Sequence, residues 1–113
     1  MLVVDDTFFN VEFLRCQIEL IPSMMTRCDY VDSGQKAIDL VKESLQARLD
    51  NINGPKYCLI LLDYSMPNMD GPTTAIHICN AYKSYNQVVP TIVCLTAFTE
   101  KIFEQQARES GMN

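Results

Sequence analysis

The sequence predicts an α/β fold, a doubly wound parallel sheet with helices on both faces. Short apolar runs of strand length alternate with longer segments of helical periodicity. Leu59-Ile60-Leu61-Leu62 is apolar at every position, as expected of a strand that helices cover on both sides. Two of the apolar runs, Leu2-Val3-Val4 and Leu59-Ile60-Leu61-Leu62, end in carboxylates: Asp5-Asp6 and Asp63. In open α/β sheets ligands sit beyond the carboxyl ends of the strands, so these acids fall where binding is expected.

The elements follow in order. Residues 2–5 read as a short strand. Residues 8–21 have helical spacing, with Val11, Leu14, Ile18 and Ile21 on one face, and Pro22 stops the helix. A brief strand is expected over 27–31. Ser33 is an N-cap for a helix carrying Ala37, Leu40, Val41 and Leu45 inward. Residues 50–55 are polar and rich in turn formers, a surface loop. The central strand spans 57–63. Gly71-Pro72 then opens a helix that runs to about Ser84. Residues 91–96 form the fourth strand, with Thr96 at its carboxyl end. Thr99 is expected to cap a last helix that ends near Gly111. Strands alternating with helices imply right-handed crossovers.

At 113 residues the chain is one domain, residues 1–113, without repeats or low-complexity tracts. With 48% hydrophobic and 20% charged residues it has an ordinary globular balance rather than a disordered one. The net charge of −5 argues against a nucleic-acid surface, which needs clustered Lys and Arg. No apolar stretch reaches the length of a membrane span, and Met1 leads directly into a strand rather than a signal peptide. The five cysteines, Cys16, Cys28, Cys58, Cys79 and Cys94, form no C-x-x-C pair. They read as buried, reduced thiols rather than a disulfide or zinc framework.

If the first and third strands lie side by side, Asp5, Asp6 and Asp63 meet at one sheet edge and repel one another unless a cation intervenes. Three carboxylates suit a hard divalent ion, above all Mg²⁺, which takes oxygen ligands at about 2.1 Å and keeps several waters. A carboxylate beside such a metal is also a nucleophile for phosphoryl groups. Thr96 offers a hydroxyl to a phosphoryl oxygen. Each feature alone has a plainer reading. Asp5-Asp6 is equally a strand-ending turn with an acid at a helix start. Met66-Pro67-Asn68-Met69-Asp70-Gly71 is also an ordinary turn, in which Asp70 has a structural role. His77, the single histidine, reads as structural or surface. Phe8 and Phe9 read as core or rim packing, and Met24-Met25 as packing near a loop.

Taken together, Asp5-Asp6, Leu62-Asp63 with Met66-Pro67 and Met69-Asp70-Gly71, and Leu95-Thr96-Ala97 resemble the receiver domain of two-component response regulators. Asn10 and Leu14, Ser33-Gly34 and Gly111-Met112 extend the likeness over essentially the whole chain. The resemblance implies a CheY-like, flavodoxin-like sheet of order 2-1-3-4. It implies that Asp63 is the phosphoacceptor, served by a histidine kinase or histidine phosphotransfer protein. It further implies Mg²⁺ held directly by Asp6 and Asp63, largely through water by Asp5, and by the Ser65 backbone carbonyl. Thr96 would be the switch residue, and Ser65 and Phe98 would tune dephosphorylation. Such a module transfers and hydrolyses its own phosphoryl group but turns over no separate substrate, so it is not an enzyme in the usual sense. Its expected location is cytoplasmic, or the cytosolic part of a membrane-bound hybrid kinase.

The likeness also sets out what lies beyond Asn113. Receivers carry a fifth strand, opening with a phosphoryl-contacting lysine, and a fifth helix. Lys101 does not replace that lysine, because it falls in the first turn of the last helix, too near Thr96. Either this is a piece of a longer protein or a naturally short receiver. Without a fifth strand, residues 91–95 are expected to form a bare apolar edge that pairs with a second copy. Two rival functions remain at this point. One is an interaction module that keeps the fold without phosphorylation. The other is an aspartate-nucleophile phosphatase or mutase, which usually has a second aspartate two residues after the first, where this chain has Ser65.

Overall fold

Among the described residues, four parallel strands and four helices alternate along the chain. The computed structural model describes residues 1–22, 28–50, 57–97 and 99–113. The elements are β1 (Leu2–Val4), α1 (Phe8–Glu19), β2 (Asp29–Val31), α2 (Gly34–Leu49), β3 (Leu59–Asp63), α3 (Gly71–Ser84), β4 (Thr91–Leu95) and α4 (Lys101–Glu109). The sheet order is β2-β1-β3-β4, as the resemblance to receiver domains implies. Register pairs Val4 with Leu62 and Asp63 with Leu95, so β1 and β3 run level and end together. The residues that follow both strands therefore emerge at one edge.

Side chains alternate across a sheet, and the two faces are covered unequally. Leu2, Val4, Ile60, Leu62 and Ile92 point to one face, where they meet Ala37, Val41 and Leu45 of α2, Ala75 and Ile78 of α3 and Ala107 of α4. Each such large aliphatic side chain contributes about 1.5–3 kcal/mol by leaving water. The other face presents Val3, Leu59, Leu61, Val93 and Leu95. Among the described helices α1 alone is left to cover that side, since α2, α3 and α4 join the core on the other, and Ile18 is its one buried residue. Val3 is buried, but Leu59, Leu61, Val93 and Leu95 stay half-buried. The apolar run of β3 thus anticipates two covered faces, and the described residues cover one of them fully.

Capping decides several boundaries. Ser33 caps α2, its hydroxyl accepting from the Lys36 N–H at 3.3 Å. Asp70 caps α3 the same way, accepting from the Thr73 N–H at 2.8 Å, which fixes its structural role. Thr99 does not cap α4. Glu100 is the N-cap, and its carbonyl accepts from Phe103 and Glu104, so the helix starts one residue later than expected. The first helix ends at Glu19, before the expected Ile21, which is exposed. On α2, Ile38 and Ser44 are buried while Leu40 is half-buried, a wider inward face than expected.

Three further expectations are corrected. Phe8 and Phe9 are neither core nor rim: they are 71% and 81% exposed, with their rings edge to face. No cysteine is fully buried. Cys16 and Cys58 are exposed, the other three half-buried, and all five are free thiols. Cys16 shares the outer side of α1 with Phe9, Phe13 and Leu20, four residues at helical spacing, all exposed. The β4 edge is not bare. The Asn113 N–H donates to the Ile92 carbonyl at 2.6 Å, and the Cys94 N–H donates to the Asn113 carbonyl at 3.1 Å. That pair of bonds is the pattern of a parallel bridge opposite Val93. The expectations for Met24-Met25, for the loop beyond Asp50 and for Phe98 lie outside the described residues.

Candidate functional site

The level ends of β1 and β3 deliver Asp5, Asp6 and Asp63 to one place. Each offers a carboxylate oxygen, and these oxygens lie within 4.8 Å of one another. The three sit in different surroundings: Asp5 is buried, Asp63 half-buried and Asp6 exposed. Asp5 is held by its own neighbours. Its Oδ1 accepts from the Thr7 N–H at 2.8 Å, and the Asn10 amide nitrogen donates to Oδ1 and Oδ2 at 3.3 and 3.1 Å. The first turn of α1 thereby locks the acid at the end of β1. Asn10 enters the sequence reading as part of the resemblance, but this bonding role is new. The i, i+5 spacing from strand end into the first helical turn is the signal that marks it.

Asp63 is positioned by a compact loop. Its Oδ1 accepts from the Ser65 N–H at 3.3 Å. Beyond it Asn68 takes φ 67°, a left-handed conformation that asparagine tolerates. Gly71 passes so close to the strand end that a Cβ there would strike the Asp63 carbonyl oxygen and come 2.9 Å from the Tyr64 Cα. Glycine is required at that point by the approach alone. Burial raises the Asp63 pKa above its ordinary value. The Ser65 N–H opposes the shift, while the charges of Asp5 and Asp6 add to it. Ionised Asp63 is therefore held at a cost that a nearby cation would relieve.

Thr96 follows Leu95, the register partner of Asp63, and so stands at the same edge of the sheet. It is exposed and lines a cavity of about 240 Å³ between the β4 edge and α4, with Cys94, Phe103 and Arg108. Lys101 is exposed at the first position of α4, and His77 is exposed on α3. Sequence reasoning missed Tyr64. Its hydroxyl donates to Gln106 Oε1 at 2.6 Å, and its ring meets Phe103 edge to face at 5.5 Å.

The donor set fits a hard cation. All three groups are carboxylates, with no soft or nitrogen ligand among them. Their spread suits an octahedral shell at about 2.1 Å completed by water, the arrangement Mg²⁺ favours. Among the described residues no helix is long and apolar enough to cross a membrane.

Comparison with known proteins agrees with this geometry. The sequence profile of the response regulator receiver domain matches residues 1–113. The osmosensing histidine protein kinase SLN1 of Saccharomyces cerevisiae is 34% identical over 117 residues, covering all of this chain and 8% of that protein. Among solved structures, the Mg²⁺ complex of the receiver domain of the Arabidopsis thaliana histidine kinase CKI1 superposes with a TM-score of 0.85. It is 28% identical and covers 98% of this chain and 77% of that one. The same domain with Mg²⁺ and BeF₃⁻ gives a TM-score of 0.80 at 27% identity, covering 98% of this chain and 74% of the other. The chain spans less than a tenth of the curated kinases it matches.

Proposed function

We propose that this chain, which belongs to the response regulator receiver domain family, is the phosphoacceptor module of a phosphorelay, with Asp63 as the acceptor. The observation that carries the reading is the convergence of Asp5, Asp6 and Asp63 within 4.8 Å, with Asp63 alone braced by the Ser65 N–H. A carboxylate oxygen of Asp63 attacks the phosphorus of a phosphohistidine. The O–P bond forms as the P–N bond breaks, and the imidazole leaves with the electron pair. Water later attacks the acyl phosphate, returning Asp63 and inorganic phosphate, so no separate substrate is turned over.

The remaining residues hold and read this event. Asp6 and Asp63 would bind Mg²⁺ directly, the Ser65 carbonyl would add a ligand, and Asp5 would act through water. Bound Mg²⁺ supplies charge neutralisation at the acids and stabilises charge on the transferring phosphoryl group. Asp5 stays in place because Thr7 and Asn10 hydrogen-bond its two oxygens, leaving acceptor capacity for a water. Thr96 would donate its hydroxyl to a phosphoryl oxygen and carry the switch. The donor is a histidine kinase or a histidine phosphotransfer protein, a reading supported by matched relatives that are histidine kinases. The module would then work in the cytoplasm, or as the cytosolic part of a hybrid kinase.

The test is a titration of the chain with Mg²⁺ and then beryllofluoride, following amide resonances. Saturable shifts at Asp63 and Thr96 are expected, with loss of the beryllofluoride response in Asp63→Asn. Incubation with phosphoramidate and Mg²⁺ should add one phosphoryl group by mass, again only with Asp63 present. A chain that binds Mg²⁺ but ignores beryllofluoride and phosphoramidate would instead be an interaction module that keeps the fold.

A further inference from the structure

Tyr64 joins the acid site to α4. Its backbone is pinned on both sides: the Tyr64 N–H donates to the Leu95 carbonyl at 2.8 Å, and its carbonyl accepts from the Gly71 N–H at 2.9 Å. Gly71 without a Cβ allows that approach. Strand alternation turns Asp63 to one face and Tyr64 to the other, the same face as Leu62. There Tyr64 is buried, yet its hydroxyl reaches Gln106 and its ring reaches Phe103, both on α4.

The helix it reaches is otherwise lightly seated. α4 has no side-chain cap at its N-terminus, and Ala107 is its one buried residue. Its charged side chains, Glu104 with Arg108, pair with each other in solvent. A hydrogen bond and an edge-to-face ring contact are a large share of what orients such a helix. They come from the residue bonded directly to Asp63.

We infer that Tyr64 is a positioning residue that relays the state of Asp63 to α4, through Gln106 and Phe103, by a route separate from Thr96. This rests on the phosphoacceptor reading. A displacement of the Asp63 backbone on ligand binding moves the Tyr64 Cα with it. The bonds to Leu95 and Gly71 hold the two flanking peptide groups as a pivot, so the residue turns about them and the far end of the phenol ring swings against Gln106 and Phe103. Tyr64→Phe keeps the ring and its burial but removes the donor. Gln106→Leu removes the acceptor from the other side.

The experiment compares the full chain with Tyr64→Phe and Gln106→Leu in Mg²⁺ and beryllofluoride titrations read by amide shifts. In the parent, Asp63 and Ser65 should shift together with Phe103, Gln106 and Ala107. In both variants the Asp63 and Ser65 shifts should keep their midpoints while the α4 shifts are lost. Tyr64 acting only as packing would lower stability without separating the two sets. An α4 response in both variants equal to the parent's overturns the relay. So does a parent in which Asp63 and Ser65 respond and α4 does not. A parent in which Asp63 itself never responds to beryllofluoride instead removes the phosphoacceptor reading beneath it.

Discussion

Asp63→Asn should make the metal-free protein more stable, although it destroys the proposed acceptor. The Asp63 oxygens lie within 4.8 Å of those of Asp5 and Asp6. Two unit charges at that separation repel by about 0.9 kcal/mol at the dielectric of water and about 3.5 kcal/mol at an effective value of 20. Asp6 is exposed and Asp63 only half-buried, so the low end applies to the Asp6 pair, while buried Asp5 repels Asp63 somewhat more strongly. The asparagine oxygen can still accept from Ser65, though less strongly than a carboxylate. The net expectation is a gain of about 1–2 kcal/mol, or about 4–8 °C in Tm for a domain of this size. The sign of the pH dependence follows from the raised pKa of Asp63. Folded protein holds that proton more tightly than the unfolded chain does. Parent stability is therefore reduced as pH rises from the unfolded carboxylate pKa through the folded one, and the deficit is full above it. Thermal melts in chelator, near neutral pH and below the carboxylate range, should show the variant ahead at neutral pH and level in acid. Added Mg²⁺ should then raise the parent's Tm more than the variant's. A variant less stable than the parent at neutral pH without metal would refute the electrostatic account. An advantage that persists unchanged in acid would do the same.

Two further outcomes are expected. Gly71→Ala should cost about 2–4 kcal/mol in urea unfolding, because its methyl meets backbone atoms of Asp63 and Tyr64 that cannot swing aside; a cost under 1 kcal/mol would show that the loop relaxes easily. Asp70→Ala should cost about 1 kcal/mol through loss of the α3 cap, without changing Mg²⁺ affinity, and a fall in that affinity would assign Asp70 to the metal instead.

The sheet was legible because its signals are local. Leu59 to Leu62 is an unbroken apolar run of strand length, Asp63 closes that strand, and Asp5 directly follows the first one. Ser33 and Gly71-Pro72 announced helix starts through backbone chemistry that needs no tertiary contact. Exposure was harder to read. Phe8 and Phe9 look like core residues by composition, and only the placement of α1 on the thinly covered face leaves them in water. Cys16 is exposed for the same reason. The start of α4 turned on a difference of one residue between Thr99 and Glu100, and neither side chain makes a capping bond that would have favoured it. The Tyr64–Gln106 bond spans 42 residues and leaves no periodic trace.

The uneven covering of the sheet bears on how the acid site is stiffened. Asp5 takes its orientation from Thr7 and Asn10, which belong to the start of α1, the helix with a single buried side chain. Segments with few buried contacts open at free energies well below that of global unfolding. The ligand shell of the site is thus braced partly by a lightly seated helix. A cation bound at Asp5, Asp6 and Asp63 must hold α1 down, and part of its intrinsic affinity is spent in doing so. The α1 amides then become reporters: their hydrogen exchange should slow in step with occupancy of a pocket most of them never touch.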